Sequence, residues 1–361
     1  MPTAKTHITI EQNTEILKRF AFLERSAMRA LAGWLPGVPE WEAKNEFGLH
    51  IWESADNVET IYQRLRELRS YAPERGLSNT IFDFGKELAH GANSGEVIAG
   101  IYLVAKKNLL DALRRHPDST WVAFDNPTVK VTEKLIVILE KQVAWAEKFL
   151  PTISTNYTDY KPWQNYLSAL LAHDGGVTGN REQSSLPVRV GGHNLLVPWK
   201  ECQREAGWPI FDPAVDFEPD RKKQPEAHRE WRFKHYLNEM TAAETLGSIL
   251  WLTPEMTWEY QYNVARHLWD EIRHSQLGQI RVKQLGLRIG DVPQVVQIYN
   301  VMMTLPAVEQ YALLTTVIEP NGMPEKVANR EHWEEIQDEI SAAAVSYDWN
   351  DENFHVRWGK K

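Results

Sequence analysis

The chain of 361 residues contains one cysteine, Cys202. An internal disulfide and an all-thiolate metal site are therefore excluded. Long hydrophobic runs are absent too, because charged residues interrupt every apolar segment before it could cross a bilayer. There is no basic surplus: 40 Lys and Arg face 49 Asp and Glu, a net charge of -9. That balance argues against nucleic acid or an anionic membrane as a partner. Met1 to Asn13 lack the basic-then-apolar pattern of a signal peptide, and with so little cysteine the expectation is a cytoplasmic protein. The glycine pairs Gly175-Gly176 and Gly191-Gly192 do not form a phosphate-binding loop, so no flavin or NAD site is seen. A Ser/His/Asp elbow, a nucleophile context for Cys202 and zinc-finger spacing are missing as well.

What is present is globular and helical. Hydrophobic residues make up 43% and charged residues 25%, values that disfavour disorder. Fifteen tryptophans promise large buried contacts or an aromatic-walled pocket. Helical periodicity dominates and alternating strand patterns are lacking, which sets the fold class as all-α. Helices are expected over about 10–35, 39–69, 96–115 and 127–150, a first helical unit of residues 1–150. Residues 151–226, rich in Gly, Pro and charge, read as a long loop-rich connector with at most a short strand near Val188-Arg189-Val190 and a capacity to act as a lid. Helices resume over 226–252, 255–287, 293–318 (interrupted by Pro306) and from 325 onward, giving a second unit of residues 227–361. Glu319-Pro320-Asn321-Gly322 reads as a turn.

Two Glu-x-x-His pairs carry the chemistry: Glu271/His274 and Glu352/His355. On a helix, residues three apart project from one face. Upstream helices offer Glu239 before the first pair and Glu309 before the second. Two single glutamates and two such pairs on four helices form the ligand set of a dinuclear metal site in a four-helix bundle. Glu244 competes with Glu239, but counted from the hairpin turn at Thr253 it lies roughly 13 Å off the level of Glu271, against roughly 6 Å for Glu239. Glu244 is therefore placed in the surroundings of the site, as a supporting group or a structural residue. Glu319 competes with Glu309, but beside Pro320 it is expected to be exposed. His267, Asp270 and Asp351 are candidates for supporting positions, as is Asp348. A solvated polar face is the bland alternative for His267, Glu271, His274 and Arg281. The apolar neighbours Leu268, Ile272, Leu277 and Ile280 argue against it.

The chain also repeats itself. A shift of 217 positions aligns Trp34 with Trp251, Trp41 with Trp258, His50 with His267, Trp52 with Trp269 and Arg64 with Arg281. In this register Phe22 stands opposite Glu239, Ser54 opposite Glu271 and Asn57 opposite His274. The first unit thus reads as a duplicated scaffold stripped of its ligands, unless Glu24, Glu46, His50 or Glu53 build a displaced site.

The segments Asn238-Glu239-Met240-Thr241-Ala242-Ala243-Glu244, Asp270-Glu271-Ile272-Arg273-His274, Glu309 and Asp351-Glu352-Asn353-Phe354-His355-Val356 resemble the ferritin-like superfamily of dimetal carboxylate proteins. The resemblance covers about residues 228–361, and reaches 10–150 only as a ligand-stripped fold. It implies two tandem four-helix bundles, with Glu271 and Glu352 bridging two metals and Glu239, Glu309, His274 and His355 as terminal ligands. It implies two Fe ions, or Mn, or a mixed Fe/Mn pair, a ligand preference the carboxylate-rich set shares. The implied activity is O2-activating oxidation (hydroxylation, oxygenation or desaturation) of a small organic substrate, with an external reductase as partner and a homo-oligomer left open. The alternatives are a non-catalytic metal-binding or interaction protein, a two-metal hydrolase and, less favoured, iron storage.

Overall fold

A computed structural model describes residues 7–157, 159–193 and 198–360. Among these residues the fold is all-helical, and the sole strand-like feature is an isolated bridge between Ile210 and Gln294. The helices are α1 (Ile10–Trp34), α2 (Trp41–Glu67), α3 (Asn79–Glu87), α4 (Ser94–Ile98), α5 (Lys107–Arg115), α6 (Asn126–Ile153) and α7 (Lys161–His173). They are followed by α8 (Pro225–Leu237), α9 (Met240–Leu252), α10 (Trp258–Gln284), α11 (Gln297–Met302), α12 (Ala307–Leu313), α13 (Glu319–Glu335) and α14 (Glu339–Trp358). Wide π-helical turns join α4 to α5 (Ala99–Lys106) and α12 to α13 (Leu314–Ile318).

The chain divides into two compact units, Met1–Leu31 with Glu53–Leu196 and Ala32–Trp52 with Val197–Lys361. This division differs from the expected boundaries at 150 and 226, and the residues show why. Within the second unit Lys44 donates to Glu244 at 2.6 Å, and Arg204 donates to the same carboxylate at 2.7 and 2.9 Å. Gly48 leaves room for Ile272, which would stand 2.3 Å from an added Cβ. The stretch 32–52 and the end of the expected connector are therefore core material of that unit. Residues 188–190 are irregular rather than a strand, and Arg189 instead pairs with Glu87 at 2.9 Å and covers the Trp163 ring. Asp174-Gly175-Gly176 closes α7: the N–H groups of Gly175 and Gly176 bond Ala172 O and Leu171 O, both glycines having φ above +70°. That pattern satisfies the last carbonyls of a helix and demands the left-handed backbone that glycine adopts freely.

In the first unit the positions that the 217-residue register sets opposite the candidate ligands carry a different chemistry. Phe22 packs edge-on against Phe82. Lys106, fully buried at the end of the π turn, donates to Glu24 at 3.0 Å and to Ser54 at 2.8 Å. Glu53 accepts from Gln142 at 2.7 Å. An ammonium group thus supplies the positive charge next to Ser54, and no set of metal-ligating side chains gathers among the described residues of this unit.

In the second unit α10 packs against α8, α9 and α14, and α14 against α13. Phe233, Tyr236, Trp333, Ala342, Ala344 and Val345 form an apolar cluster beside these contacts. The expected helix over 226–252 is broken at Asn238. Its side chain donates to Lys234 O and Pro293 O and accepts from the Val295 N–H at 2.7 Å, so it serves the loop rather than a continuous helix. The break docks onto α10 through two small residues: Ser275 donates to Leu237 O at 2.8 Å, and a Cβ on Gly278 would meet Leu237 N at 2.1 Å. Glu271, Ser275 and Gly278 lie at i, i+4 and i+7 on one face. That face fixes where Glu239, the residue preceding α9, begins.

Removing the Lys106 charge should strand Glu24 in the first unit. Lys106→Met is expected to lower stability by roughly 3–5 kcal/mol, and Glu24→Gln/Lys106→Met to recover much of that loss. Urea midpoints of the two variants measure it. Equal destabilisation by both would contradict the pairing.

Candidate metal centre

Helix α10 presents His267, Glu271 and His274 at spacings of four and three, and α14 presents Asp348, Glu352 and His355 at the same spacings. Helix α13 contributes Glu319 and Lys326, two turns apart on one face. All eight side chains are buried, His267 and His355 completely. One ligand atom each from His267, Glu271, Glu319 and His355 lie within 4.8 Å of one another, and so do those of Glu271, His274 and Glu352. Glu271 belongs to both groups. A buried His/Glu cluster able to hold a metal ion is therefore present.

The distances show how the groups interlock. His267 Nε2 lies 2.8 Å from Glu319 Oε1 and 3.3 Å from Glu271 Oε1. His355 Nδ1 lies 3.4 Å from Glu271 Oε1, and His274 Nδ1 lies 3.4 Å from Glu271 Oε2. The outward nitrogens are held by aspartates: His274 Nε2 faces Asp351 and His355 Nε2 faces Asp270, each at 3.3 Å. Asp270 accepts from Arg266 and Arg273, and Asp351 from Arg273. Such carboxylates fix ring orientation and aim the other nitrogen inward.

Seven buried ligand-type atoms make no well-aligned hydrogen bond, although most lie within ion-pair distance of a partner. They are both nitrogens of His267, Nδ1 of His274 and of His355, both oxygens of Glu319 and Oε2 of Glu352. A buried polar atom left unsatisfied costs about 1–3 kcal/mol. Charge must offset that cost. Burial alone would depress His267, yet Glu319 and Glu271 overcome it and push the imidazole up to about 10. His274 is raised well above its ordinary value against burial by Asp348 and Glu271. Glu271 is held well below the carboxylate range, burial being outweighed by His274 and His267. Glu352 is pulled down to about 2, burial losing to Lys326 and then to His355. The His267 and His355 rings stack with centroids 3.6 Å apart, so positive charge on both would be mutually repulsive. A divalent cation would take over the positive charge and relieve that repulsion.

The expected site residues fall into three sets. Glu271, His274, Glu352 and His355 come together, and Glu239 lines the same cavity, where burial and then the Glu271 charge push its carboxyl up to about 8. Glu309 does not join them. It lies exposed in the first turn of α12, where a carboxylate complements the helix dipole. Glu319 takes the place expected for it, because 319–322 is not a turn: the rod from α12 runs on into α13. Pro320 falls just after the π turn, where the hydrogen-bond register shifts and its missing N–H is tolerated. Glu244, five residues and about 140° around α9 from Glu239, is bound to Lys44 and Arg204 instead of the cluster. Asp270 and Asp351 sit behind the imidazoles, while His267 faces inward with the ligands rather than standing behind them. One residue was weighed and set aside in the sequence, and one was not found there. Glu319 precedes Glu352 by 33 residues, close to the 32 between Glu239 and Glu271, and that interval was the available signal. Lys326, donating to Asp348 at 2.6 Å and Glu352 at 2.7 Å, had none.

No family model, curated protein or solved structure matches this chain.

Imidazole must lose its proton to bind a metal. Loading the protein with a divalent cation at pH 7.5 should release about two or more protons per chain, read by calorimetry in buffers of different ionisation enthalpy. Zero release would contradict the charge assignment. The sign for stability follows from the raised histidines. In chelated protein the His267 contribution is complete below the ordinary 6.5 and is lost as pH rises toward about 10. The melting temperature of chelated protein should therefore fall across that window more steeply than that of metal-loaded protein.

Proposed function

We propose that this chain is a dimetal carboxylate protein of ferritin-like type, and that it oxidises a small organic substrate with dioxygen. One observation carries the reading. Glu271 is shared by two groups of buried ligand atoms, and with Glu319 and Glu352 it lines a cavity of about 250 Å³. His267, Glu319 and His355 would hold one ion, His274 and Glu352 the other, with Glu271 between them and Glu239 at the cavity wall. The donor set of three imidazoles and several carboxylates suits iron or manganese. A reduced pair of such ions would supply electrons for reducing dioxygen, with an external reductase to restore them. The residues of the chain do the rest. Asp270 and Asp351 orient two imidazoles, Lys326 neutralises Asp348 and Glu352, and Ala242, Met302, Leu314 and Ile318 give the cavity apolar walls.

In this reading the second unit is a four-helix bundle of α8–α9, α10, α12–α13 and α14. The first unit is its duplicated copy, with the buried Lys106 in place of metal. A second reading, a non-catalytic metal-binding protein, is favoured by one observation: Lys326 already balances two carboxylates without any metal. The open cavity beside the cluster supports the first.

Metal analysis after expression with iron and manganese should find two ions per chain. Glu271→Ala and Glu319→Ala should each lose most of the metal, while Glu309→Ala, Ser54→Ala and Asn57→Ala keep it. Loaded and reduced protein should consume dioxygen, and the Glu319→Ala variant should not. Full metal in Glu319→Ala, or full metal with no dioxygen uptake under any reductant, would refute the corresponding half of the proposal.

A further inference from the structure

The cavity beside the cluster contains a cation with no ion pair at contact distance, although Tyr236 and the Asp348 and Glu239 carboxylates lie near enough to favour its charge. Arg232, on α8, lines it together with Glu239, Glu271, Glu319 and Lys326. Its guanidinium lies over the Tyr236 ring, 5.1 Å from the centroid, and its Nε is buried without a hydrogen-bond partner. Among the described residues no carboxylate lies within 4.0 Å of it. Four arginines on α8 and α10 are paired: Arg266 and Arg273 bind Asp270, and Arg229 and Arg281 bind Asp338. Lys326 is also committed, to Asp348 and Glu352. Arg232 is thus a planar, multi-donor cation at the wall of the cavity with donor capacity to spare.

The remaining walls define what would accompany the anion. Ile298, Met302, Leu314 and Ile318 make an apolar flank, with Ile298 and Ile318 about half exposed where the cavity meets solvent. Gly322 adds space: a Cβ there would touch nothing closer than Lys326 Cε at 3.9 Å. A volume near 250 Å³ admits roughly ten non-hydrogen atoms and lies below the ~300–1,000 Å³ of sites for drug-sized ligands.

We propose that the cavity binds a small monocarboxylate with an apolar body, its carboxylate paired with Arg232 and its body against Ile298, Met302, Leu314 and Ile318. The claim that this molecule is the oxidised substrate rests on the dimetal reading; the claim that it binds does not. Guanidinium and carboxylate match in geometry, and a charge-assisted pair is about twice as strong as a neutral hydrogen bond. A neutral amide of the same shape leaves that pairing unmade.

The test is calorimetric titration of the full chain, its metal content measured in parallel, with sodium hexanoate and with hexanamide. Hexanoate should bind at least about tenfold more tightly than hexanamide, a difference of ~1.4 kcal/mol. Arg232→Gln should erase that preference with metal content unchanged, and Arg232→Lys should keep part of it. If the Gln variant folds poorly, the Lys variant and the hexanamide comparison in the wild type decide. Equal binding of acid and amide, undiminished hexanoate binding in Arg232→Gln, or no hexanoate binding up to ~10 mM would each overturn the proposal. A metal-free chain that still prefers hexanoate would uphold this site and refute the dimetal reading. A chain with two metals and no such preference would do the reverse.

Discussion

Electroneutrality around one buried carboxylate, Glu271, organises the second unit. It lies within 3.5 Å of three imidazoles, His267, His274 and His355. Isolated charges at this depth would cost several kcal/mol each, so every member needs a partner of opposite sign. The cluster meets the demand in shells. Imidazoles surround Glu271, Asp270 and Asp351 hold two of those imidazoles, and Arg266 and Arg273 hold the aspartates. The chain continues outward until the charges reach solvent. The ligand atoms at its centre are placed where they could hold a metal ion.

Helix geometry serves that arrangement at two places. Asn238 breaks the rod so that α9 starts beside Glu239, and Gly278 lets the break approach α10 at backbone distance. The π turn at Leu314–Ile318 immediately precedes Glu319 on a rod that otherwise runs from Ala307 to Glu335. A π turn inserts one residue and rotates all that follows, a device that recurs at functional sites. The first unit has its own π turn at Ala99–Lys106, and it delivers Lys106 to Glu24 and Ser54. Each unit places a buried lysine near its π turn, but in the first the lysine stands beside Glu24 and Ser54, where no group of ligand side chains gathers among the described residues.

The legible part of the sequence was the local part. Period-3.6 hydrophobicity sets the long helices: α1, α2, α6 and α10 fall within a few residues of expectation. The Glu-x-x-His pairs show their common face from spacing alone, as do Asp270 and Asp351 beside them. What was hidden depended on tertiary context. Pro320 and Gly322 look like a turn, and only a π turn upstream makes them helical, so Glu319 was discounted in favour of Glu309. Glu244 was assigned to the cluster surroundings because its level along the helix was weighed and its azimuth was not. Helix α7 was hidden in a segment whose flanking glycines suggested loop throughout. Lys326 and Arg232 carry no motif, since a buried cation is defined by what surrounds it.

The account stands on two ions flanking Glu271, and diffraction from crystals of the manganese- or iron-loaded protein, recorded at the metal absorption edge, tests it most directly. Two anomalous peaks are predicted, one among His267, Glu319 and His355 and one between His274 and Glu352, with Glu271 reaching both. A single peak displaced from Glu271, or none in crystals whose protein carries metal elsewhere, would contradict it.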